Sequence, residues 1–170
     1  MAEYIMEEMR NLNYLLSEID GAYHEASQKL GLSDSAMQIL YVICNHGESC
    51  LLSEICNLSG TSKQTINSAL RKLEADGVVR LEALTGRRKK VCLTARGKDV
   101  VNDTVARLIK VENDVFGSWT KQERAQYLAL TQRYLTSFKE KIKELSEQTW
   151  GLSQILCKHR RAMQNRAKII

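Results

Sequence analysis

A short helix with one polar face, followed at once by a basic hairpin, occupies residues 61–97 and limits how this chain can fold. Thr61 and Gln64 have the spacing of a capping box, in which two side chains satisfy free amides at a helix start. Asp76-Gly77 marks the helix end, because glycine accepts the left-handed backbone that closes a last turn. We therefore predict a helix from about Thr61 to Asp76.

The two faces of this helix differ in chemistry. One face is apolar and should anchor the helix to a core, with Ile66, Ala69, Leu70 and Leu73 at helical spacing. The other face and its flanks carry side chains that can hydrogen-bond base edges in a DNA major groove. We predict DNA contacts from Thr61, Ser62, Lys63, Gln64, Thr65, Asn67, Ser68 and Arg71.

A second short helical pattern, Leu52–Leu58, lies just upstream and stops at Ser59-Gly60. Two helices joined by a short turn that contains glycine form a helix-turn-helix. The segment therefore predicts a helix-turn-helix whose second helix begins near Thr61.

A hairpin is predicted downstream. Residues 79–83 and 90–93 alternate apolar and polar side chains, as half-buried strands do. Their link, 84–89, carries three consecutive cations at its tip: Arg87, Arg88 and Lys89. Such a tip on its own is usually a solvated loop. Placed directly after a helix-turn-helix, it indicates contact with an anion, and we include the three cations among the predicted DNA-binding residues.

Charge is segregated along the chain. The net charge is +5, but residues 1–59 hold two cationic and nine anionic side chains, whereas residues 60–98 hold ten cationic and three anionic ones. A concentration of positive charge is the electrostatic footprint of a phosphate-binding surface. The segment 60–98 is thus expected to face nucleic acid, and the acidic first third to stay away from it.

Both ends of the chain read as long amphipathic helices. Apolar residues spaced alternately by four and three run from Ile5 to Leu30, and a second stripe follows a capping box at Thr120–Glu123. We expect a twofold dimer interface. Its predicted residues are Ile5, Met9, Leu12, Leu16, Ile19, Leu135, Phe138 and Ile142. The alternative is packing of the two terminal helices against each other within one chain.

The predicted organisation is a single unit over residues 1–149, with a basic tail at 150–170. Within the unit, 1–30 and 120–149 are dimerisation helices and 33–98 is a winged helix-turn-helix lobe. One helix is predicted from Ser33 to about Gly47 and another from Thr94 to about Phe116; the absence of proline favours long helices. The tail could extend the last helix across Gly151 or form a separate basic amphipathic segment.

Cysteine and histidine usage suggests no disulfide framework and no metal site. The five cysteines are an odd set without zinc-ribbon spacing, so reduced thiols are expected, with Cys92 on the outer side of its strand as the candidate redox sensor. The three histidines include no pair one helical turn apart. The longest apolar run is too short to span a bilayer. We expect a soluble cytoplasmic protein with no cofactor.

The order of these elements resembles the multiple-antibiotic-resistance regulator (MarR) family of bacterial winged-helix transcription factors, over residues 1 to about 147. The most specific stretch begins at Arg87 and continues through Val91, Leu93-Thr94 and Gly97 at that family's spacing. Residues 73–79 resemble its passage from recognition helix to first strand. The resemblance implies a mostly α fold with a small β-hairpin wing, a homodimer with intertwined terminal helices, recognition helices in major grooves and wings in flanking minor grooves.

The chain departs from the family at one wing position. The family usually has an Asp two positions before the wing Arg, where this chain has Thr85, so Arg88 could share the role of Arg87. The helix after the wing lacks the paired histidines of zinc-sensing members. By analogy with the family, a small phenolic or otherwise apolar effector could bind between the dimerisation helices and the DNA-binding lobe.

Three functional interpretations compete. The first is a dimeric DNA-binding regulator, and the resemblance favours a repressor because the family mostly represses by occlusion. The second is a winged-helix protein-interaction module whose basic tip docks on an acidic partner; the polar recognition face argues against it, since protein interfaces favour aromatic anchors. An enzyme is disfavoured, because no phosphate loop, nucleophile elbow or metal-binding constellation is recognisable.

Overall fold

A computed structural model describes residues 6–86 and 88–166, with side chains through residue 145. The chain divides into two compact units, Met1–Asp114 and Val115–Ile170. The architecture is mostly helical with a small antiparallel sheet of three strands, which confirms the predicted fold class. No helix in the described ranges is both long and apolar enough to cross a membrane.

The helices of the first unit are α1 (Glu7–Lys29), α2 (Asp34–Asn45), α3 (Leu52–Leu58), α4 (Lys63–Ala75), α5 (Ala95–Asp103) and α6 (Val105–Gly117), the last of which crosses into the second unit. Helices α1 to α4 begin and end close to the predicted positions. Ser33 caps α2 by accepting a hydrogen bond from the amide of Ala36. Gly47 and Gly77 both adopt a left-handed backbone just after their helices. Local caps thus set most of these boundaries.

The sheet has the order β1-β3-β2, formed by β1 (Ser49–Leu51), β2 (Val79–Ala83) and β3 (Lys89–Leu93). The hairpin register pairs Val79 with Leu93 and Ala83 with Lys89. The sequence did not predict β1, because three residues are too few to show alternation. Its pairing of Cys50 with Val91 places it beside the central strand.

The core of the first unit forms where α2 meets α3, α4 and the sheet. Ile39, Leu40 and Ile43 of α2 are fully buried. The same cluster receives Ile55, Ile66, Val79, Val91 and Val105. Helix α2 therefore packs against both the helix-turn-helix and the hairpin through one apolar core.

The prediction of one continuous helix from Thr94 to about Phe116 is wrong. The backbone leaves helical geometry at Thr104, where φ is −125° and ψ is −84°, and α5 and α6 meet there. The Thr104 hydroxyl donates a 2.5 Å hydrogen bond to the carbonyl oxygen of Val100. Threonine side chains that bond back to a carbonyl four residues earlier bend helices. Val101 and Val105 flank the break, and both are buried.

The second unit contains α7 (Lys121–Arg166). The predicted capping box is confirmed: the Thr120 amide donates to Glu123 Oε2 at 2.7 Å, and the Glu123 amide donates to Thr120 Oγ1 at 3.2 Å. The helix passes through Gly151 without interruption, so up to Arg166 the backbone follows the helix-extension alternative for the tail. Residues 167–170 lie outside the described residues.

Candidate nucleic-acid interface

Helix α4 presents the two faces that its sequence predicts. Ile66, Leu70 and Leu73 are buried, and Ala69 packs against the same core. The opposite side is exposed at Gln64, Thr65, Ser68 and Arg71, whereas Asn67 is half-buried. A helix anchored on one side and polar on the other can enter a DNA groove without losing its contacts to the core.

The cap of α4 is Ser62, so the predicted Thr61 cap is wrong. The Ser62 hydroxyl accepts a 3.1 Å hydrogen bond from the Thr65 amide. Thr61 lies one residue earlier, and its hydroxyl donates instead to Gln38 Oε1 at 2.6 Å. Gln64 is therefore only two residues after the cap and is not at the capping-box position. Thr61 is half-buried, while Ser62 and Lys63 are exposed.

The wing turn is shorter than predicted. The Leu84 amide donates to the carbonyl oxygen of Arg88 at 2.9 Å, and Gly86 has a φ of 73°, which favours glycine. Lys89 is already the first residue of β3, opposite Ala83, so it lies at the base of the tip rather than within it. Arg88 and Lys89 are both exposed. Arg87 lies outside the described residues.

A groove of about 510 Å³ brings the recognition helix and the wing together. Lys63 and Asn67 of α4 and Arg88 and Lys89 of the hairpin line it. Its floor comes from β1 and α3, with Leu51, Leu52, Ser53, Cys56 and Asn57. Ser53 and Asn57 were not among the predicted DNA-binding residues, although polar residues on the first helix of a helix-turn-helix were the available signal.

The described cations of this surface form no salt bridge with a carboxylate. The ion pairs among the residues that the structure describes use other basic residues, including Lys29, Arg80, Lys98 and Lys110. None uses Lys63, Arg71, Arg88 or Lys89. Unpaired ammonium and guanidinium groups on one surface are available to neutralise phosphates.

Glu54 is the acidic side chain behind the groove. The Cys50 thiol and the Leu51 amide both donate to its carboxylate, at 3.2 Å and 3.1 Å, and with the charge of Arg88 nearby they lower the pKa of Glu54. Burial, together with the adjacent carboxylate, raises the pKa of the Cys50 thiol to about 11.

Cys92 does not face outward as predicted. It is buried in the central strand β3, and burial followed by a hydrogen bond to Glu82 raises the pKa of its thiol. A raised pKa lowers the thiolate fraction, and the thiolate is the reactive form. The expected outward-facing redox sensor is therefore not present at this position.

A second crevice, of about 550 Å³, lies between α1, α2, α6 and the end of α3. Tyr23 and Tyr41 each donate a 2.7 Å hydrogen bond to the carboxylate of Glu112. Desolvation, followed by the Glu112 carboxylate, raises the pKa of Tyr41. Asp20 and Asp34 add two further acidic groups to the lining. The crevice thus combines phenol rings with a negative lining.

The predicted dimerisation residues expose apolar surface. On α1, Leu12, Leu16 and Ile19 are exposed and Met9 is half-buried. On α7, the exposed apolar residues include Leu135, Phe138 and Ile142. Ile5 lies outside the described residues.

Comparisons with known proteins agree with this geometry. The MarR family model matches residues 30–89. A MarR family regulator from Neisseria meningitidis, NMB1585, is 17% identical, with 82% of this chain and 99% of that chain covered at a TM-score of 0.73. A MarR family transcriptional regulator from Silicibacter pomeroyi is 27% identical, with coverage of 74% and 88% and a TM-score of 0.59.

A third similar structure is the MepR-DNA complex of S. aureus. It is 17% identical, with 80% of this chain and 99% of that chain covered at a TM-score of 0.61. No curated protein is significantly similar in sequence.

Proposed function

Since the chain belongs to the MarR family of transcriptional regulators, we propose that it is a cytoplasmic repressor that binds double-stranded DNA as a homodimer. The observation that carries the proposal is the groove in which Lys63, Asn67, Arg88 and Lys89 converge. It couples base-reading side chains to unpaired cations, the combination that sequence-specific DNA binding needs.

The division of labour between helix and wing follows from their side chains. Gln64, Asn67 and Arg71 carry amide and guanidinium groups that make bidentate contacts with adenine or guanine in the major groove. Arg88 and Lys89, together with Arg87, meet the phosphates and the adjoining minor groove, whose negative potential attracts arginine. MepR, which shares the fold, has been solved bound to DNA.

Assembly as a dimer rests on the exposed apolar residues of α1 and α7. Leu16 and Ile19 are 43% and 45% exposed, and Phe138 is 50% exposed. Covering apolar rows at heptad spacing with a second copy removes apolar surface from water and stabilises the dimer. A twofold dimer presents two recognition helices, so the operator is an imperfect palindrome with half-sites about one helical turn apart.

The crevice between α1, α2 and α6 is the proposed effector site. Its lining includes Tyr23, Tyr41 and Glu112, and no lysine or arginine is among the lining residues that the structure describes. This chemistry favours a neutral phenolic or apolar ligand, or a cationic one, over an anion. Leu58, the last residue of α3, and Ser59, in the turn before α4, also line the crevice, so a ligand there would contact the turn that leads into α4.

Selection of bound fragments from genomic DNA by the purified protein tests the proposal. Enrichment of a palindromic sequence is expected, and enriched fragments should be protected from nuclease over two half-sites. Retention of no DNA at low salt, combined with binding to an acidic protein, would support the protein-interaction alternative instead.

A further inference from the structure

Three side chains with metal-binding groups converge behind the wing. His46 lies at the C-cap of α2, Cys50 in β1, and Glu54 in the first turn of α3. A ring nitrogen of His46, Cys50 Sγ and a carboxylate oxygen of Glu54 all lie within 4.8 Å of one another. We propose that these residues form a mononuclear site for a divalent transition metal of the zinc class, with water as the fourth ligand.

The donor set selects the class of metal. Thiolate and imidazole are ligands of zinc and its neighbours, whereas magnesium and calcium take oxygen donors. With three protein ligands, the fourth position of a tetrahedral site is left for water. The site is therefore expected to prefer Zn²⁺ or Co²⁺ over Mg²⁺.

The spacing of the donors needs little adjustment. Metal–ligand distances of about 2.0–2.3 Å place tetrahedral ligands roughly 3.3–3.8 Å apart. Cys50 Sγ and Glu54 Oε2 are already 3.2 Å apart. The three donor atoms already lie within 4.8 Å of one another, so small side-chain adjustments, with His46 kept against Val42, can close the remaining distance.

Hydrogen bonds to neighbouring backbone groups orient two of the ligands. His46 Nδ1 lies 2.8 Å from the carbonyl oxygen of Val42, which can only accept, so Nδ1 is the donor in this bond and Nε2 is the nitrogen proposed to bind the metal. The Leu51 amide holds Glu54 Oε2 at 3.1 Å. Metal ligands in proteins are commonly held by such outer contacts.

Metal binding releases one proton, from the Cys50 thiol. The S–H bond of Cys50 breaks, its electron pair forms the sulfur–metal bond, and the proton passes to solvent. The thiol also loses its hydrogen bond to Glu54, whose carboxylate turns to the metal. No electron transfer is involved.

The position of the site connects it to the DNA-binding surface. Cys50 pairs with Val91 of the central wing strand, and Glu54 opens α3, whose Ser53 and Asn57 line the groove. A bound ion would tie α2, the sheet and α3 together. Because the ion binds only the folded lobe, it should raise the temperature of thermal unfolding.

Titration of the metal-free full chain with Co²⁺ provides the test. We expect one Co²⁺ per chain, a sulfur-to-cobalt charge-transfer band, the visible bands of tetrahedral cobalt, and displacement by Zn²⁺. His46→Gln should weaken binding by at least about tenfold, as even the loss of an outer-shell partner can do. Cys50→Ser should abolish the charge-transfer band. Cys56→Ser and Cys157→Ser should retain both the band and the affinity.

The proposal is overturned if wild-type protein shows no charge-transfer band, or if the band survives Cys50→Ser. Cys50 is only 3% exposed, so its substitution could unfold the lobe. His46→Gln then decides, because that side chain is exposed: wild-type Co²⁺ affinity in a variant with unchanged circular dichroism excludes the site.

Discussion

The hydroxyl of Thr61 donates a 2.6 Å hydrogen bond to the side-chain oxygen of Gln38, 23 residues earlier in the chain. Gln38 lines the crevice proposed for an effector, and Thr61 directly precedes the Ser62 cap of the recognition helix. This contact is a direct physical link between the crevice and the start of α4.

The link predicts energetic coupling between the two residues. In a double-mutant cycle with Thr61→Val and Gln38→Ala, we expect a coupling free energy of about 0.5–1.5 kcal/mol, the usual net worth of a hydrogen bond. Urea unfolding of the wild type, both single variants and the double variant measures it. The same hydroxyl proton also faces the carbonyl oxygen of Ser59 at 3.2 Å and can turn to it in Gln38→Ala, so the cycle measures the bond to Gln38 relative to that alternative. Additive effects on the free energy of unfolding would show that the two side chains are not energetically coupled.

Substitutions on the recognition helix should separate base reading from phosphate binding. Gln64→Ala, Asn67→Ala and Arg71→Ala should each relax preference at particular base pairs, by about 1–3 kcal/mol for a bidentate contact. Lys63→Ala should weaken all sequences nearly equally if it meets phosphate. Lys110→Ala removes an equal charge far from this helix in sequence and should have little effect. Competition binding with point-substituted operators checks this, and unchanged preference in all four α4 variants would exclude α4 as the reading helix.

Removal of the two described wing cations should flatten the salt dependence of DNA binding. Each phosphate contact contributes about −0.9 to the slope of log affinity against log salt concentration. Arg88→Ala with Lys89→Ala should therefore reduce the slope by up to about 1.8, as measured by fluorescence anisotropy over a salt series. The charge-matched control is Lys29→Ala with Lys110→Ala, two residues whose ion pairs lie on α1 and α6. Equal slopes for both double variants would remove the wing from the interface.

A charge on the apolar row of α1 should prevent dimerisation. Leu16→Asp would place a carboxylate in the proposed interface, where an unpaired buried charge costs several kcal/mol. Tyr14→Asp is the matched control, because Tyr14 is 63% exposed and off the heptad row. Sedimentation should show a dimeric wild type and control, and a monomeric or insoluble Leu16 variant. A wild-type monomer at micromolar concentration would contradict the interface.

Gly97 should be intolerant of any side chain. A Cβ at this position would overlap the carbonyl oxygen of Val78, and backbone has little room to yield. Gly97→Ala should therefore destabilise the fold by about 1–3 kcal/mol. Gly21→Ala, inside α1 with nothing near its Cβ, should instead stabilise it by up to about 1 kcal/mol. Thermal unfolding of the two variants should show shifts of opposite sign, and equal shifts would contradict the steric explanation.

The sequence by itself determined the elements that local signals specify. Helical spacing located the buried face of α4, and Thr120 with Glu123 located the start of α7. Such features depend on residues within one or two turns of each other. The order of helix-turn-helix and hairpin, and the segregation of positive charge into residues 60–98, needed no tertiary information.

Only the tertiary structure decided the features that depend on distant partners. Thr61 could have capped α4, but its bond to Gln38 leaves that role to Ser62. Strand β1 forms because β3 offers it an edge, and burial of Val101 and Val105 accompanies the break at Thr104. His46, Cys50 and Glu54 likewise lie on three different elements: the end of α2, strand β1 and the first turn of α3. No single helical or strand periodicity therefore predicts that they lie close together. Long-range packing, which a one-dimensional pattern does not encode, brings these groups together.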